Sequence, residues 1–153
     1  MRYLECPDTY EPHAGDGPLV FLAGGITGCP DWQREAVRGL STTDWVVANP
    51  RRQNFPIGDP SAAETQIRWE HRHLTRADLV LFWFPASDAQ VTTQPIALYE
   101  LGAAAAGGRR LVVGAAPGYP RQTDVRLQLW LARPDVEVQS TLRATLAQAR
   151  HAL

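Results

Sequence analysis

The sequence predicts an α/β fold: a flavodoxin-like three-layer sandwich on a five-stranded parallel sheet of order 2-1-3-4-5. Three observations predict it. Short unbroken apolar runs, such as LVFLA (Leu19–Ala23) and DLVLFWF (Asp78–Phe84), suit strands buried on both faces. Stretches with helix start and stop signals separate them. The two kinds alternate along the chain without any internal sequence repeat, as a parallel sheet covered on both faces requires.

In order, residues 1–18 form a Pro/Gly-rich lead-in and residues 19–153 a single domain. LVFLA is the first strand, followed by the loop GGITGCP. DWQREAVRGL is a helix capped near Asp31 and stopped after Gly39. WVVA (Trp45–Ala48) is the second strand and leads into the long loop NPRRQNFPIGDP. Ser61 with Glu64 reads as a capping box for a helix running to about Ala77. DLVLFWF is the third strand and the strongest signal in the chain. Pro95 suits the first turn of the helix in QPIALYELG, and Gly107-Gly108 end it. RLVVG, a helix over TDVRLQLWLAR, the short strand DVEV and a helix from Ser140 complete the series. In such a sheet a ligand binds at the carboxyl ends of strands one and three, where the winding reverses. The loops there are GGITGCP and PASDAQVTTQ.

Composition narrows the function. Hydrophobic content of 44% and charged content of 20% are those of a soluble globular protein. The formal net charge of −1 gives no basic field for a nucleic acid or a membrane surface. All fifteen Lys-or-Arg positions are Arg, which excludes Schiff-base chemistry and Lys-dependent phosphate loops. Cys6 and Cys29 form neither a framework nor a CxxC pair, and MRYLECPDTYEPHAGDGP has no apolar run of signal-peptide kind. The expectation is a cytoplasmic protein with reduced thiols and no membrane span.

Two acids stand out. Glu100 lies in an otherwise apolar helix, where helical spacing puts it on a stripe with Ile96, Ala103 and Gly107. Glu70 shares a stripe of the preceding helix with Ala63, Ile67 and Leu74. A buried carboxylate without a partner costs several kcal/mol. Either each Glu meets an Arg, or the pair serves a bound sugar, one acid attacking the anomeric carbon while the other handles the leaving group's proton.

Further candidates gather at the same sheet edge. Gly24, Gly25, Ile26 and Thr27 follow the first strand, where glycine lets a ligand approach backbone N–H groups, or simply makes a tight turn. The segment is neither GxGxxG nor a P-loop. Asn49, Arg51 and Arg52 of NPRR suit a 5′-phosphate or a ribose hydroxyl, and equally suit tying down their own loop. Trp83 suits a nucleobase stack or the core. His71 and His73 point different ways on their helix, no Cys/His cluster accompanies them, and no metal or other cofactor is expected. GxSxG is absent, and Asp78 reads as structural.

The pieces FLAGGITG, NPRR, QIRWEHRHLTRADLVLFWFP and QPIALYELG occur in that order from Phe21 to Gly108. Together they resemble the nucleoside 2-deoxyribosyltransferase-like proteins, related also to the 2′-deoxynucleoside 5′-monophosphate N-hydrolases. GRRLVVGAAPGYPRQTDV extends the likeness towards Val125. The resemblance implies a flavodoxin-like fold and makes Glu100, in the YELG-type motif, the nucleophile. It makes Glu70, eight residues before Asp78, the acid at the leaving base, where relatives usually carry Asp. It maps Gly24, Gly25, Ile26 and Thr27 to the sugar and phosphate region. Gln94 stands where the transferases carry an Asp that binds sugar hydroxyls. Relatives form homodimers or larger assemblies, so a homo-oligomer is implied.

The expected function is cleavage or exchange of the N-glycosidic bond of a (2′-deoxy)nucleoside or nucleoside 5′-monophosphate through a covalent glycosyl-enzyme on Glu100. The alternative is a non-catalytic nucleotide-binding or sensor module on the same fold. A flavin carrier rests on fold analogy alone, without the Ser/Thr-rich phosphate loop after the first strand.

Overall fold

The computed structural model describes residues 1–56 and 58–153; Ile57, within the predicted loop after WVVA, lies outside them. Strands β1 (Arg2–Glu5), β2 (Leu19–Gly24), β3 (Val46–Asn49), β4 (Leu79–Phe84), β5 (Leu111–Ala115) and β6 (Val138–Gln139) form one parallel sheet of order β1-β3-β2-β4-β5-β6. Helices α1 (Trp32–Leu40), α2 (Ala62–Arg76), α3 (Pro95–Ala106), α4 (Gln122–Ala132) and α5 (Leu142–Ala152) connect the strands or close the chain. None of them is long and apolar enough to cross a membrane.

Among the described residues the sheet therefore has six strands, and the expectation of five is corrected. From β2 onward the order is the predicted one, and the addition is β1, parallel to β3 at the sheet edge with Arg2 opposite Val46. RYLE buries only Leu4, so an edge strand with one neighbour leaves no apolar run to read. At the other edge the predicted strand DVEV overlaps β6 only at Val138, which pairs with Val113, while Gln139 just beyond it pairs with Gly114.

Alternation along the strands divides the core into two layers. Phe21, Ala23, Val80, Phe82, Phe84 and Val113 face α2, α3 and α4, meeting Trp69, Leu101 and Leu129. Val20, Leu22, Leu81, Trp83 and Val112 face α1 and α5, meeting Trp32, Ala36 and Leu146. The stretch around Asp8 and Tyr10 lies on α2: the Trp69 indole donates to Asp8 O at 2.7 Å, and Tyr10, itself buried, donates its N–H to His73 Nε2 at 3.1 Å.

Two helix expectations change. The capping box at Ser61 is absent: Ser61 Oγ donates to Asp59 Oδ1 at 2.7 Å, and Glu64 pairs with Arg68. Asp59 builds the turn instead, accepting also from Ser61 N at 2.8 Å. The inner stripes lie one position away from those predicted. α2 buries Ala62, Trp69 and His73 while Ala63 and Ile67 are exposed; α3 buries Ala97, Leu101, Ala104 and Ala105 while Ile96, Ala103 and Gly107 are exposed. In α3 nearly every side chain is apolar, so periodicity carries no information about which face turns inward. Glu70 and Glu100 consequently sit on the flanks of the buried stripes, half-buried rather than central.

Candidate active site

A cleft of about 240 Å³ opens at the carboxyl ends of β2 and β4, where the chain winds outward in opposite directions. Gly24, Gly25, Ile26 and Thr27 form one wall, Thr92 and Gln94 to Ala97 another, and both Glu70 and Glu100 line it. The structure thus brings seven of the predicted site residues together: these four loop residues, Gln94 and the two acids.

Backbone geometry explains how they meet. Gly25 is buried, and a Cβ there would stand 2.5 Å from both Gln94 Oε1 and Cys29 Sγ. Only glycine lets the loop close on Gln94. Gln94 precedes α3 in a left-handed conformation (φ 55°, ψ 51°), with its N–H bonded to Thr92 Oγ1 at 2.9 Å. Its Nε2 donates to Pro85 O at 2.9 Å and Ser87 Oγ at 3.2 Å. Because Pro85 O can only accept, the amide orientation is fixed, and Oε1 is left buried without a partner among the described residues.

The acids are held differently. Glu70 Oε1 accepts from Gln66 Nε2 at 2.8 Å, and the same nitrogen donates to Pro50 O at 2.7 Å. Burial raises the Glu70 pKa and the Gln66 bond opposes that rise. Glu100 has neither a hydrogen bond nor an ion pair among the described residues. Burial, and then the nearby Glu70 charge, push its pKa up to about 7. The reading in which each Glu meets an Arg therefore does not describe this pair.

Four predicted residues lie elsewhere. Asn49 Nδ2 donates to Tyr3 Oη at 2.9 Å, while its Oδ1 accepts the Arg51 N–H at 3.0 Å. Arg51 spends its guanidinium on Gln33 Oε1 and on the carbonyls of Ile26, Cys29 and Pro30. Arg52 lies over the Phe55 ring, 5.4 Å from its centroid. Trp83 points into the layer of α1 and α5, where a Cβ on Gly114 would come within 2.6 Å of its ring. None of the four lines the cleft. Strand alternation explains Trp83: Phe82 and Phe84 face the cleft side and the residue between them cannot.

Sequence reasoning missed Gln66 and Gln33. The Gln66–Glu70 spacing of four residues on α2 was the available signal. Gln33 fills a fully buried position on α1, and nothing in its neighbourhood marks it. Among the described residues, no group of three or more His, Cys, Asp or Glu is placed to hold a metal ion.

A family profile described as nucleoside 2-deoxyribosyltransferase like matches residues 17–119, a span running from before β2 to beyond β5 that contains every cleft residue. No curated protein matches the chain. The profile covers more than half of the sequence and encloses both cleft acids: the chain belongs to the nucleoside 2-deoxyribosyltransferase-like family.

Proposed function

We propose that the protein breaks the N-glycosidic bond of a (2′-deoxy)nucleoside or its 5′-monophosphate, with Glu100 as nucleophile and Glu70 as proton donor to the leaving base. Family membership supports nucleoside glycosyl chemistry in general. The observation that carries the finer reading is Glu100 itself, a half-buried carboxyl with no protein partner among the described residues, beside a second acid in one cleft. An acid so placed makes sense when a ligand completes its surroundings.

Burial raises both carboxyls, and the Glu70 charge lifts Glu100 further, to about 7. Before substrate binds, Glu100 is therefore the acid that holds a proton more readily. That proton must pass to Glu70 as substrate binds for Glu100 to attack and Glu70 to donate. As a Glu100 oxygen bonds to C1′, the C1′–N bond breaks, its electron pair goes to the base nitrogen, and Glu70 supplies that nitrogen's proton. Water or a second base then attacks C1′ and passes its proton to the Glu70 carboxylate, while the C1′–O bond to Glu100 breaks and its electron pair returns to Glu100.

Chromatography of base release and base exchange tests the reading. Purified protein is incubated with a panel of nucleosides and 5′-monophosphates, with and without a second free base, beside Glu100→Ala. Release or exchange that vanishes in the variant is the expected result. Tight nucleotide binding without turnover, unchanged in Glu100→Gln, is instead the result a binding module gives.

A further inference from the structure

The cleft wall Gly25–Pro30 has its backbone polarity sorted. Behind the loop, Gly25 O accepts from Trp32 Nε1 at 2.9 Å and from Gln33 Nε2 at 3.3 Å. One terminal nitrogen of Arg51 reaches Ile26 O at 2.8 Å, Cys29 O at 3.1 Å and Pro30 O at 3.1 Å. Arg51 Nε donates to Gln33 Oε1 at 2.9 Å, so the two side chains form one clamp. In a trans peptide the carbonyl and the following N–H point in opposite directions. With Gly25 O and Ile26 O drawn back to the clamp, the N–H groups of Ile26 and Thr27 point away from it. Both residues line the cleft, and neither N–H donates to a protein group among the described residues.

We infer that Arg51 is a positioning residue: with Gln33 it turns the loop carbonyls away and presents the Ile26 and Thr27 N–H groups to the substrate's oxygens. The inference rests on the glycosidic reading of the cleft. It takes Arg51 away from the phosphate or ribose contact weighed against a loop-tying role, because the guanidinium is already engaged by four acceptors and does not line the cleft. A planar fork with several donors suits this task and a lysine ammonium does not, so Lys is not a conservative replacement here.

The test uses the full chain carrying Glu100→Gln to prevent turnover, alone and with Arg51→Lys or Gln33→Leu. Calorimetry measures affinity for a 2′-deoxynucleoside and for its 5′-monophosphate, and hydrogen exchange follows the amides of residues 25–30. Each clamp variant is expected to weaken both ligands by about the same factor, roughly tenfold as for one or two lost hydrogen bonds. Exchange in the loop should speed up, and the two clamp changes together should cost less than their sum. Weakening confined to the monophosphate makes Arg51 a direct phosphate contact and overturns the proposal. So does unchanged exchange in both variants. If the background protein binds neither ligand, the glycosidic reading fails, and the exchange rates alone then decide whether Arg51 sets the loop.

Discussion

Gln66 Nε2 donates to Glu70 Oε1 at 2.8 Å and, in the same geometry, to Pro50 O at 2.7 Å, so one amide ties the second cleft acid to the loop after β3. The bond favours the ionised carboxylate and holds the Glu70 pKa below where burial alone would put it. Gln66→Leu removes the donor at similar volume. The bond is stronger to the ionised than to the neutral carboxyl, so the Glu70 pKa should climb. Carbon-13 NMR titration of the glutamate carboxyls checks this, and a Glu70 resonance that titrates as before would contradict it. In an active protein the limb of the pH–rate profile that reports the proton donor moves upward with it.

Glu100 should cost the protein stability at neutral pH. Its carboxyl has a pKa of 4.5 when unperturbed and about 7 in the folded chain. Across that window the native state binds more protons than the unfolded one, so stability falls as pH rises. Glu100→Gln removes the dependence. The variant should match the wild type near pH 4 and exceed it at pH 8 by at most about 3 kcal/mol, while losing turnover. Urea unfolding at several pH values measures the difference, and parallel stability curves for the two proteins would sink the idea.

Much of this was legible in the chain because the parallel sheet leaves a strong mark. β2, β4 and β5 are buried on both faces and read as unbroken apolar runs, and the strand order from β2 onward follows from the alternation of elements. Glu100 is visible as the lone acid of an apolar helix and Glu70 as an acid on the preceding one, while Gly24 and Gly25 mark the end of β2. What stayed hidden depends on contacts distant in sequence. β1 buries a single residue, and Arg51 reaches across to carbonyls 21 to 25 residues away. Trp83 stays open between a stacking platform and the core in the sequence, because sequence gives a strand's alternation but not which face the cleft adopts; the structure places it in the core.

His73 fastens the N-terminal segment to α2. Its ring is fully buried, accepts the Tyr10 N–H at Nε2, lies 2.8 Å from Trp69 O at Nδ1, and stacks on Trp69 at a centroid distance of 4.0 Å. Accepting at Nε2 requires the neutral tautomer with its proton on Nδ1. Burial, joined by Arg76 and Arg72, lowers the pKa below 6.5. The unfolded chain then protonates first, so His73's contribution is complete above about pH 6.5 and is lost as pH falls towards the depressed native value. His73→Phe should remove that acid sensitivity but cost about 2–4 kcal/mol at pH 8, since the Tyr10 N–H and Trp69 O lose their partner. Denaturant titrations at pH 5 and 8 read the stability. Limited proteolysis should show earlier cleavage within residues 6–18, and an unchanged cleavage pattern would mean that His73 does not fasten the segment.

Gly25 and Gly102 offer the last prediction, since the same methyl group should act oppositely at the two positions. At Gly25 an added Cβ meets Gln94 Oε1 and Cys29 Sγ at 2.5 Å, both inside the cleft wall. Gly25→Ala must push the loop off Gln94, at a cost of about 1–3 kcal/mol for overpacking. A displacement near 1 Å of this kind can reduce turnover about a hundredfold. Gly102 lies in α3 with nothing within 4 Å of its added Cβ. There Ala restricts the unfolded chain and suits the helix, so Gly102→Ala should gain about 0.5–1 kcal/mol and leave turnover alone. Thermal melts and steady-state rates on the two variants read both effects. A Gly25→Ala protein with full activity would mean that the loop's approach to Gln94 plays no part in the chemistry, whereas lost activity alongside an unimpaired Gly102→Ala ties the defect to the cleft wall.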